Sequence, residues 1–410
     1  FFLFWRKGRG ERMIRHEWRT ITRNRLCQVL LLSVILLAVF LSYLAIENSI
    51  DSDEDYDKGY SLASVRQLVE KKNQCKGFLT PAKIRGIVEK GDTSGKNDSE
   101  VQNKENRPAA YFDIVFFASS AFYGEHGDDD DPLAILREKP GNIEKIYDRY
   151  RENLKAQSEE YGKTKEQREF LLKKFWEIKM PVSYEAFESW AGVFKYIEVF
   201  SIILLIISAF ISARIFAQEF QYRTDSVFFS TMHGRGKAIR GKIMAGFLLT
   251  TGIYWIGIGI LCLICFSIMG TSGGGTMFQV DSPYAIYIVS FRQLCIIAAL
   301  CGYIACLLAS SISMLVAAKT RGTIIAIVIP LLLFLITPFI VRNIRVQYDF
   351  LTLLPYHLNN VLNCSRIPYI YQIGSFVFRQ IPFLMLVYFG IAVLLIPLTY
   401  QCYRKIIVSS

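Results

Sequence analysis

Six apolar runs set the limits on what this chain can fold into. They cover residues 27–46, 199–217, 243–268, 293–318, 322–341 and 382–401. Each is long enough to cross a hydrocarbon core, which takes about 20 helical residues. Backbone polar groups in lipid must be satisfied within the segment, so such runs form helices. The sequence therefore predicts an all-α polytopic membrane protein with six transmembrane helices.

The apolar runs divide the chain into membrane and aqueous segments. We expect an amphipathic amino-terminal helix at 1–26, a large domain at 47–194, a basic loop at 218–242 and a short tail at 404–410. Smaller segments at 269–290 and 342–381 separate the later spans. The predicted spans are 27–46, 195–217, 243–268, 291–318, 322–341 and 382–403.

The distribution of charge predicts orientation rather than nucleic-acid binding. The chain carries a net charge of +11, but residues 47–194 hold 29 carboxylates against 23 Lys and Arg. The face bearing both termini has eighteen Lys and Arg beside spans, and the short segments on the opposite face have five. Cytoplasmic loops are enriched in Lys and Arg. Both termini are therefore expected in the cytoplasm, and residues 47–194 outside.

The outer domain reads as α-rich, with an α+β arrangement left open. Residues 61–72 and 80–90 have helical periodicity, and 142–180 reads as a long charged helix broken near Gly162. The apolar stretch 111–123 is either a buried strand or a helix, which periodicity alone does not distinguish.

The last four spans are closely coupled. Span three ends in the loop GTSGGGT (270–276), which we expect to be flexible. Span four is rich in small residues, which permit close helix contact. A tight turn, AAKTRG, joins it to span five.

The sequence argues against an enzyme and against an ion-driven carrier. The span cores lack Asp, Glu, Lys and His, which argues against an ion-driven carrier. A Walker-like string, GKAIRGKI at 236–243, ends in Ile243 where Ser or Thr would hold magnesium. The four histidines form no metal cluster, and no nucleophile elbow occurs. We expect a non-catalytic chain without a metal site. A Cys75–Cys364 disulfide is left open.

The basic loop between spans two and three is the candidate functional segment. It carries Val227, Phe228 and Phe229 on a stretch with no domain to bury them, surrounded by cations. Such an apolar protrusion with charged residues around it, here called the knob, fits a groove on a partner protein. Alternatively, the loop lies on the inner leaflet with its cations on lipid phosphates.

The loop resembles the coupling region of type-2 ATP-binding-cassette (ABC) exporter permeases. The residues at matching places are Glu219, Thr224, Ser230, Thr231, Arg235 and Lys242. Arg223 stands where the family usually has Gly, and the usual Pro of the turn is absent. Before span one, Glu17, Arg19 and Arg23 resemble the family's Glu-plus-basic helix. The large domain between spans one and two occurs in subgroups that handle peptides, drugs or envelope lipids.

The resemblance implies a permease subunit in a bacterial plasma membrane. Two permease chains, identical or related, would associate with two ABC ATPase subunits, which bind the ATP and magnesium; this chain would bind no cofactor. The substrate would be a peptide, an antimicrobial, a drug or a lipid-like molecule, exported or extracted from the membrane.

The resemblance also suggests residue roles. Phe228 and Phe229 would dock on the ATPase, and Glu219 would anchor the loop to the ATPase or to the amino-terminal helix. Arg235, Arg240 and Lys242 would set the height of the loop at the inner surface. Candidates for the substrate path in spans two and five are Phe200, Leu204, Ile207, Phe334 and Ile336.

Two other classes remain possible from sequence. One is a membrane sensor whose outer domain binds a ligand and signals through the basic loop. The other is a four-span mechanotransmitting permease, which also has a large domain after span one. The count of six spans argues against both.

Overall fold

The computed structural model describes most of the chain. The described residues are 19, 24–49, 62–93, 111–122, 132–138, 140–231, 234–339, 349–367 and 369–406. The predicted amino-terminal helix at 1–26 lies almost entirely outside them, as does Glu17.

The described chain is mostly helical. Its α-helices are α1 (Arg25–Glu47), α2 (Leu62–Asn73), α3 (Pro81–Thr93), α4 (Phe112–Ser120), α5 (Pro132–Glu138), α6 (Ile146–Tyr161), α7 (Lys165–Phe175), α8 (Glu188–Gln221), α9 (Asp225–Ser230), α10 (Ile239–Met269), α11 (Phe291–Thr320), α12 (Thr323–Leu331), α13 (Val361–Arg366) and α14 (Gln380–Arg404). Four short strands form two antiparallel pairs, β1 (Gly77–Phe78) with β2 (Ser183–Tyr184), and β3 (Ile370–Ile373) with β4 (Phe376–Arg379).

Five helices are long and apolar enough to cross a membrane. They are α1, α8, α10, α11 and α14, with α10 continuing from a π-helical turn at Gly234–Ala238. The predicted fifth span is a shorter apolar helix, Thr323–Phe339, in which α12 carries Pro330 and passes into a π-helical turn at Leu332–Ile336. A proline inside a helix removes a backbone hydrogen bond and distorts the turn. Five such helices already exceed the count of a four-span permease.

The centre of the bundle is the contact between α8 and α11. The small residues of α11, including Ala298, Ala305 and Ala309, are buried there. A Cβ atom added at Gly302 would overlap the Ser201 hydroxyl of α8. Small residues therefore let the two backbones approach closely, as the sequence predicts.

The domain inserted between α1 and α8, here called the inter-span domain (described residues within 62–184), is helical with one two-stranded pair. The apolar stretch at 111–123 contains α4, with Ile114 and Phe117 buried, which settles the choice between strand and helix. The long charged segment is broken at Gly162, between α6 and α7, as predicted. The pair β1–β2 joins the segment after α2 to the segment just before α8.

The loop after α10 is packed, so the expectation of flexibility is wrong. Gly273 has a φ of +77°, and an added Cβ atom would overlap the carbonyl oxygen of Ala186. Thr276 donates its hydroxyl proton to the Glu185 carbonyl at 2.7 Å. The glycines here allow close approach of the loop to the start of α8 rather than motion.

Candidate coupling site

A buried ion pair joins α8 to α10 at one end of the bundle. The Lys242 Nζ atom lies 2.5 Å from Glu219 Oε1, with exposed side-chain fractions of 0% and 10%. The same ammonium donates to the Ile215 carbonyl at 3.1 Å. Burying a charge is costly unless it is paired and hydrogen-bonded, and both conditions are met here. Sequence reasoning put both residues in a loop, but α8 extends to Gln221 and the helix of α10 already includes Lys242.

Tyr403 brings a third helix, α14, to this pair. Its side chain is fully buried, and its hydroxyl lies 3.0 Å from Glu219 Oε2 and 3.2 Å from the Phe216 carbonyl oxygen. A hydroxyl donates one proton, and a bond to a carboxylate is stronger than one to a carbonyl. Donation to Glu219 therefore satisfies the second carboxylate oxygen. Nothing in the sequence around Tyr403 distinguishes it from the flank of a span.

The two phenylalanines of the predicted knob face this cluster. Phe229 is buried and Phe228 is half-buried, and their ring centroids lie 5.3 and 6.2 Å from that of Tyr403. The Lys242 ammonium lies 5.4 Å from the Phe228 centroid. The expectation that both rings are exposed is therefore wrong. The reason is local: α9 is a helix, and it turns both rings toward α14 and α10. Val227, on the opposite side of α9, is 66% exposed.

Two arginines, one in the linker between α8 and α10 (residues 222–238, here called the α8–α10 linker) and one in the first turn of α10, also pack against aromatic rings. The Arg235 guanidinium lies 5.4 Å from the Phe229 centroid, and it donates to the Arg404 carbonyl at 3.1 Å, at the last turn of α14. Arg240 lies 5.5 Å from the Tyr400 ring. Cations near a helix carboxyl end stabilise its free carbonyl groups. Arg235 and the two phenylalanine rings thus fasten the linker to α14.

The turn that leads into α9 explains one departure from the family pattern. Arg223 has a φ of +54°, the left-handed region that glycine adopts most readily. The Thr224 amide then donates to the Glu219 carbonyl at 2.8 Å and closes the end of α8. A glycine at this position would adopt the same turn without strain.

Comparison with protein families identifies the chain. The model of the ABC-2 family transporter proteins matches residues 12–405, nearly the whole length. The chain belongs to this family. A search of curated proteins finds no match. As an ABC-2 permease, the chain is a multi-pass membrane component of a transporter, and membership implies an ABC ATPase partner.

Most residues proposed for the substrate path of this ABC-2 permease lie inside its own bundle. Phe200, Leu204, Ile207 and Phe334 are buried, whereas Ile336 lies on an exposed face. Phe200, for example, packs where an added Cβ atom at Gly257 of α10 would meet it at 3.0 Å. The four buried side chains fill the interior in this conformation, and their role in transport stays a prediction.

A second buried ionic cluster lies at the other end of α8. The Lys72 ammonium is 2.6 Å from Glu188 Oε1 and 3.1 Å from Asp113 Oδ2. Tyr184 donates its hydroxyl proton to the same Asp113 oxygen at 3.1 Å. Burial alone would lower the pKa of Lys72, but the two carboxylates outweigh it and raise the pKa above its usual value. The cluster joins the inter-span domain to the first turn of α8, and no spacing in the sequence brings these three residues together.

The described cysteines and His357 of the ABC-2 permease lie in buried or half-buried positions. None of the nine cysteines, all of which lie in the described ranges, forms a disulfide, so Cys75 and Cys364 are not bridged. The Cys364 sulfur lies 3.4 Å from His357 Nδ1, and burial lowers the pKa of His357 to about 4. Within the described ranges, no group of three His, Cys, Asp or Glu side chains is placed to hold a metal ion.

Proposed function

We propose that this chain is the permease subunit of an exporter in which two permease copies, or one copy and a related chain, work with two ABC ATPase subunits. Hydrolysis of ATP by the ATPases would drive export or membrane extraction of a peptide, an antimicrobial, a drug or a lipid-like molecule. The observation that carries the proposal is the packing of the α8–α10 linker on the cluster of Glu219, Lys242 and Tyr403, which joins three membrane helices.

The proposed contact with the ATPase differs from a knob made of Phe228 and Phe229. Because Phe229 is buried against Tyr403, these rings serve to fix the linker to the bundle. The apolar surface left for an ATPase groove is Val227, with Tyr222 also exposed nearby. A push on α9 would then reach α8 through Glu219 and α14 through Tyr403. Arg235 and Arg240 fix the linker against α14 and would also hold it near the inner surface.

The substrate path is proposed on the exposed face of the short fifth apolar helix. Ile324, Val328, Leu332 and Ile336 recur every four residues along that helix and are all at least one-third exposed. This period places them on one face. Only one side of this helix packs against the bundle, so its apolar face is open to contact with a second permease copy. The substrate path would then run between the two copies.

The orientation in the membrane rests on the bias of Lys and Arg. It places both termini and the α8–α10 linker in the cytoplasm of a bacterial cell, and the inter-span domain outside. A Lys237→Cys variant, exposed in the same linker, labelled in intact cells with a membrane-impermeant maleimide tests it. We expect labelling only after the cells are permeabilised. Labelling in intact cells would contradict the orientation.

A substitution at Val227 tests the proposed docking. Val227→Asp places a charge on the exposed side of α9 without disturbing the buried rings, so we expect at least a tenfold loss of co-purified ATPase, about 1.4 kcal/mol of binding free energy or more. The measurement is the ratio of ATPase to permease after affinity purification of the full complex from membranes.

The matched control is Phe78→Asp. Phe78 is 64% exposed, close to the 66% of Val227, but it lies on β1 of the inter-span domain. We expect an unchanged ratio for this variant. Equal ratios for Val227→Asp and the unmodified chain would remove Val227 from the interface.

A further inference from the structure

The hairpin β3–β4, just before α14, has two chemically different faces. Its register pairs Tyr371 with Phe378 and Ile373 with Phe376. Residues directly opposite each other in an antiparallel pair point to the same face, and alternate residues share a face. These four apolar side chains, here called the aromatic face, therefore lie together.

The other face of the hairpin is attached to the rest of the protein. Thr164, which caps α7 of the inter-span domain, donates its hydroxyl proton to Gln372 Oε1 at 2.7 Å. The Arg379 guanidinium lies 4.9 Å from the Tyr287 ring centroid. These contacts fix the orientation of the hairpin, so that the aromatic face points away from the domain.

The aromatic face is open. Phe376 is 71% exposed, and Ile373 and Phe378 are exposed as well. Single exposed apolar residues are ordinary, but three neighbours on one face of a small sheet form a contiguous patch, and such a patch marks a contact with a partner or a membrane.

The patch is continuous with the surface of a membrane-spanning helix. The Phe383 ring, in the first turn of α14, lies 5.3 Å from that of Tyr371 and 6.1 Å from that of Phe378. Further along α14, Leu386 and Phe389 are exposed, and they belong to the apolar surface of a helix long enough to span. The aromatic face therefore lies where α14 enters the bilayer, the level at which aromatic side chains favour the lipid–water interface.

We propose that the aromatic face of the β3–β4 hairpin inserts into the headgroup and upper acyl region of the leaflet on the domain side. Lipid is the partner because the patch adjoins the lipid-facing surface of α14 and carries no charged side chain. The contact between Thr164 and Gln372 then ties the inter-span domain to the membrane surface. This anchoring is independent of how ATP hydrolysis is coupled to transport.

The test places a fluorescent reporter on the hairpin. Phe376→Cys and, as the milder change, Ser375→Cys are labelled with an environment-sensitive maleimide dye. The full chain is then reconstituted in liposomes whose lipids carry bromine on the upper acyl chain. We expect a blue-shifted emission and a clear loss of intensity relative to unbrominated liposomes. The unmodified chain, labelled in the same way, gives the background from the native cysteines.

The control reporter is Glu144→Cys. Glu144 is 67% exposed in an ion pair with Arg85 on the inter-span domain, and it should remain accessible to aqueous iodide and insensitive to bromine. Iodide quenching of both hairpin reporters without bromine quenching would place the patch in water and overturn the proposal. Cross-linking between two copies through position 376, with neither quencher effective, would also overturn it, because the face would then be a contact between copies.

Discussion

The two ends of α8 each carry a buried ion pair, but the pairs are built differently. At the end near the linker, one ammonium and one carboxylate balance, and both Glu219 oxygens have partners, Lys242 and Tyr403. At the end near the inter-span domain, Lys72 faces two carboxylates, and Glu188 Oε2 has no hydrogen-bond partner among the described residues. We call these the linker end and the domain end.

The difference shows how much each end depends on a single residue. Within the described chain, the carboxylate paired with Lys242 is that of Glu219, so losing Glu219 removes the anion paired with this buried cation. Lys72 has two carboxylate partners, so losing Glu188 still leaves Asp113. The linker end should therefore behave as a single unit, whereas the domain end tolerates the loss of one acid.

Matched amide substitutions at the two ends have the largest expected effect. Glu219→Gln should lower the free energy of unfolding by about 3 kcal/mol, because breaking a buried pair from one side leaves an uncompensated charge. Glu188→Gln should lower it by about 1 kcal/mol, the scale of one net hydrogen bond. The measurement is reversible unfolding of the purified chain in mixed micelles.

A double variant sharpens this comparison. Adding Lys242→Met to Glu219→Gln removes the stranded cation and should recover much of the lost stability. If the loss of unfolding free energy in the double variant equals the sum of the losses in the two single variants, the two side chains do not interact energetically. If Glu219→Gln and Glu188→Gln lower the free energy of unfolding equally, the proposed difference between the two ends is wrong.

A smaller difference is expected in acid, again on the domain side of the bundle. His357 is buried near Cys364, and its pKa is lowered from 6.5 to about 4. A folded-state pKa below the unfolded one means that the unfolded chain binds the proton first, so this stability is present above pH 6.5 and is lost as the pH falls toward 4.

The variant that isolates this effect is His357→Gln, which keeps polar atoms for the Leu351 carbonyl and Cys364. The difference in unfolding free energy between the unmodified chain and the variant should change between pH 7 and pH 4. A constant difference over that range would show that the histidine does not titrate on unfolding there.

The smallest expected effect concerns the rigidity of the α8–α10 linker. An added Cβ atom at Gly234 would overlap the Phe228 carbonyl oxygen, whereas one at Gly236 meets nothing within 4 Å. Overpacking costs about 1–3 kcal/mol, so Gly234→Ala should destabilise by an amount in that range. Gly236→Ala is the control and should be neutral or slightly stabilising. Similar unfolding midpoints for the two variants would mean that the linker adjusts freely.

The membrane part of the fold follows from the sequence because lipid imposes one rule. Long apolar runs must be helices, and the small residues of α11 must face a close neighbour. The ends of the helices do not follow, because the sequence places Glu219 and Lys242 in the basic loop 218–242 and Glu188 in the outer domain 47–194. A charged residue near a helix end is buried in the bundle only where another element supplies its partner. Here the partner lies far away in the sequence.

The candidate site was predicted only in part for a similar reason. The matching residues Glu219 and Lys242 were found through the family resemblance, and they do meet. Phe228 and Phe229 turn inward because they pack against Tyr403, about 170 residues away. The local sequence does not show this contact and therefore predicts exposed rings. The domain cluster around Lys72 joins three separate segments without a recognisable spacing.

One continuous helix joins the two ionic clusters. With 34 residues and a rise of 1.5 Å per residue, α8 is about 51 Å long, while a bilayer's oily interior is about 30 Å thick. Such a rod must project beyond the slab that surrounds it. If the helix tilts as a rigid body within the bilayer, a displacement of its linker end moves its domain end in the opposite direction.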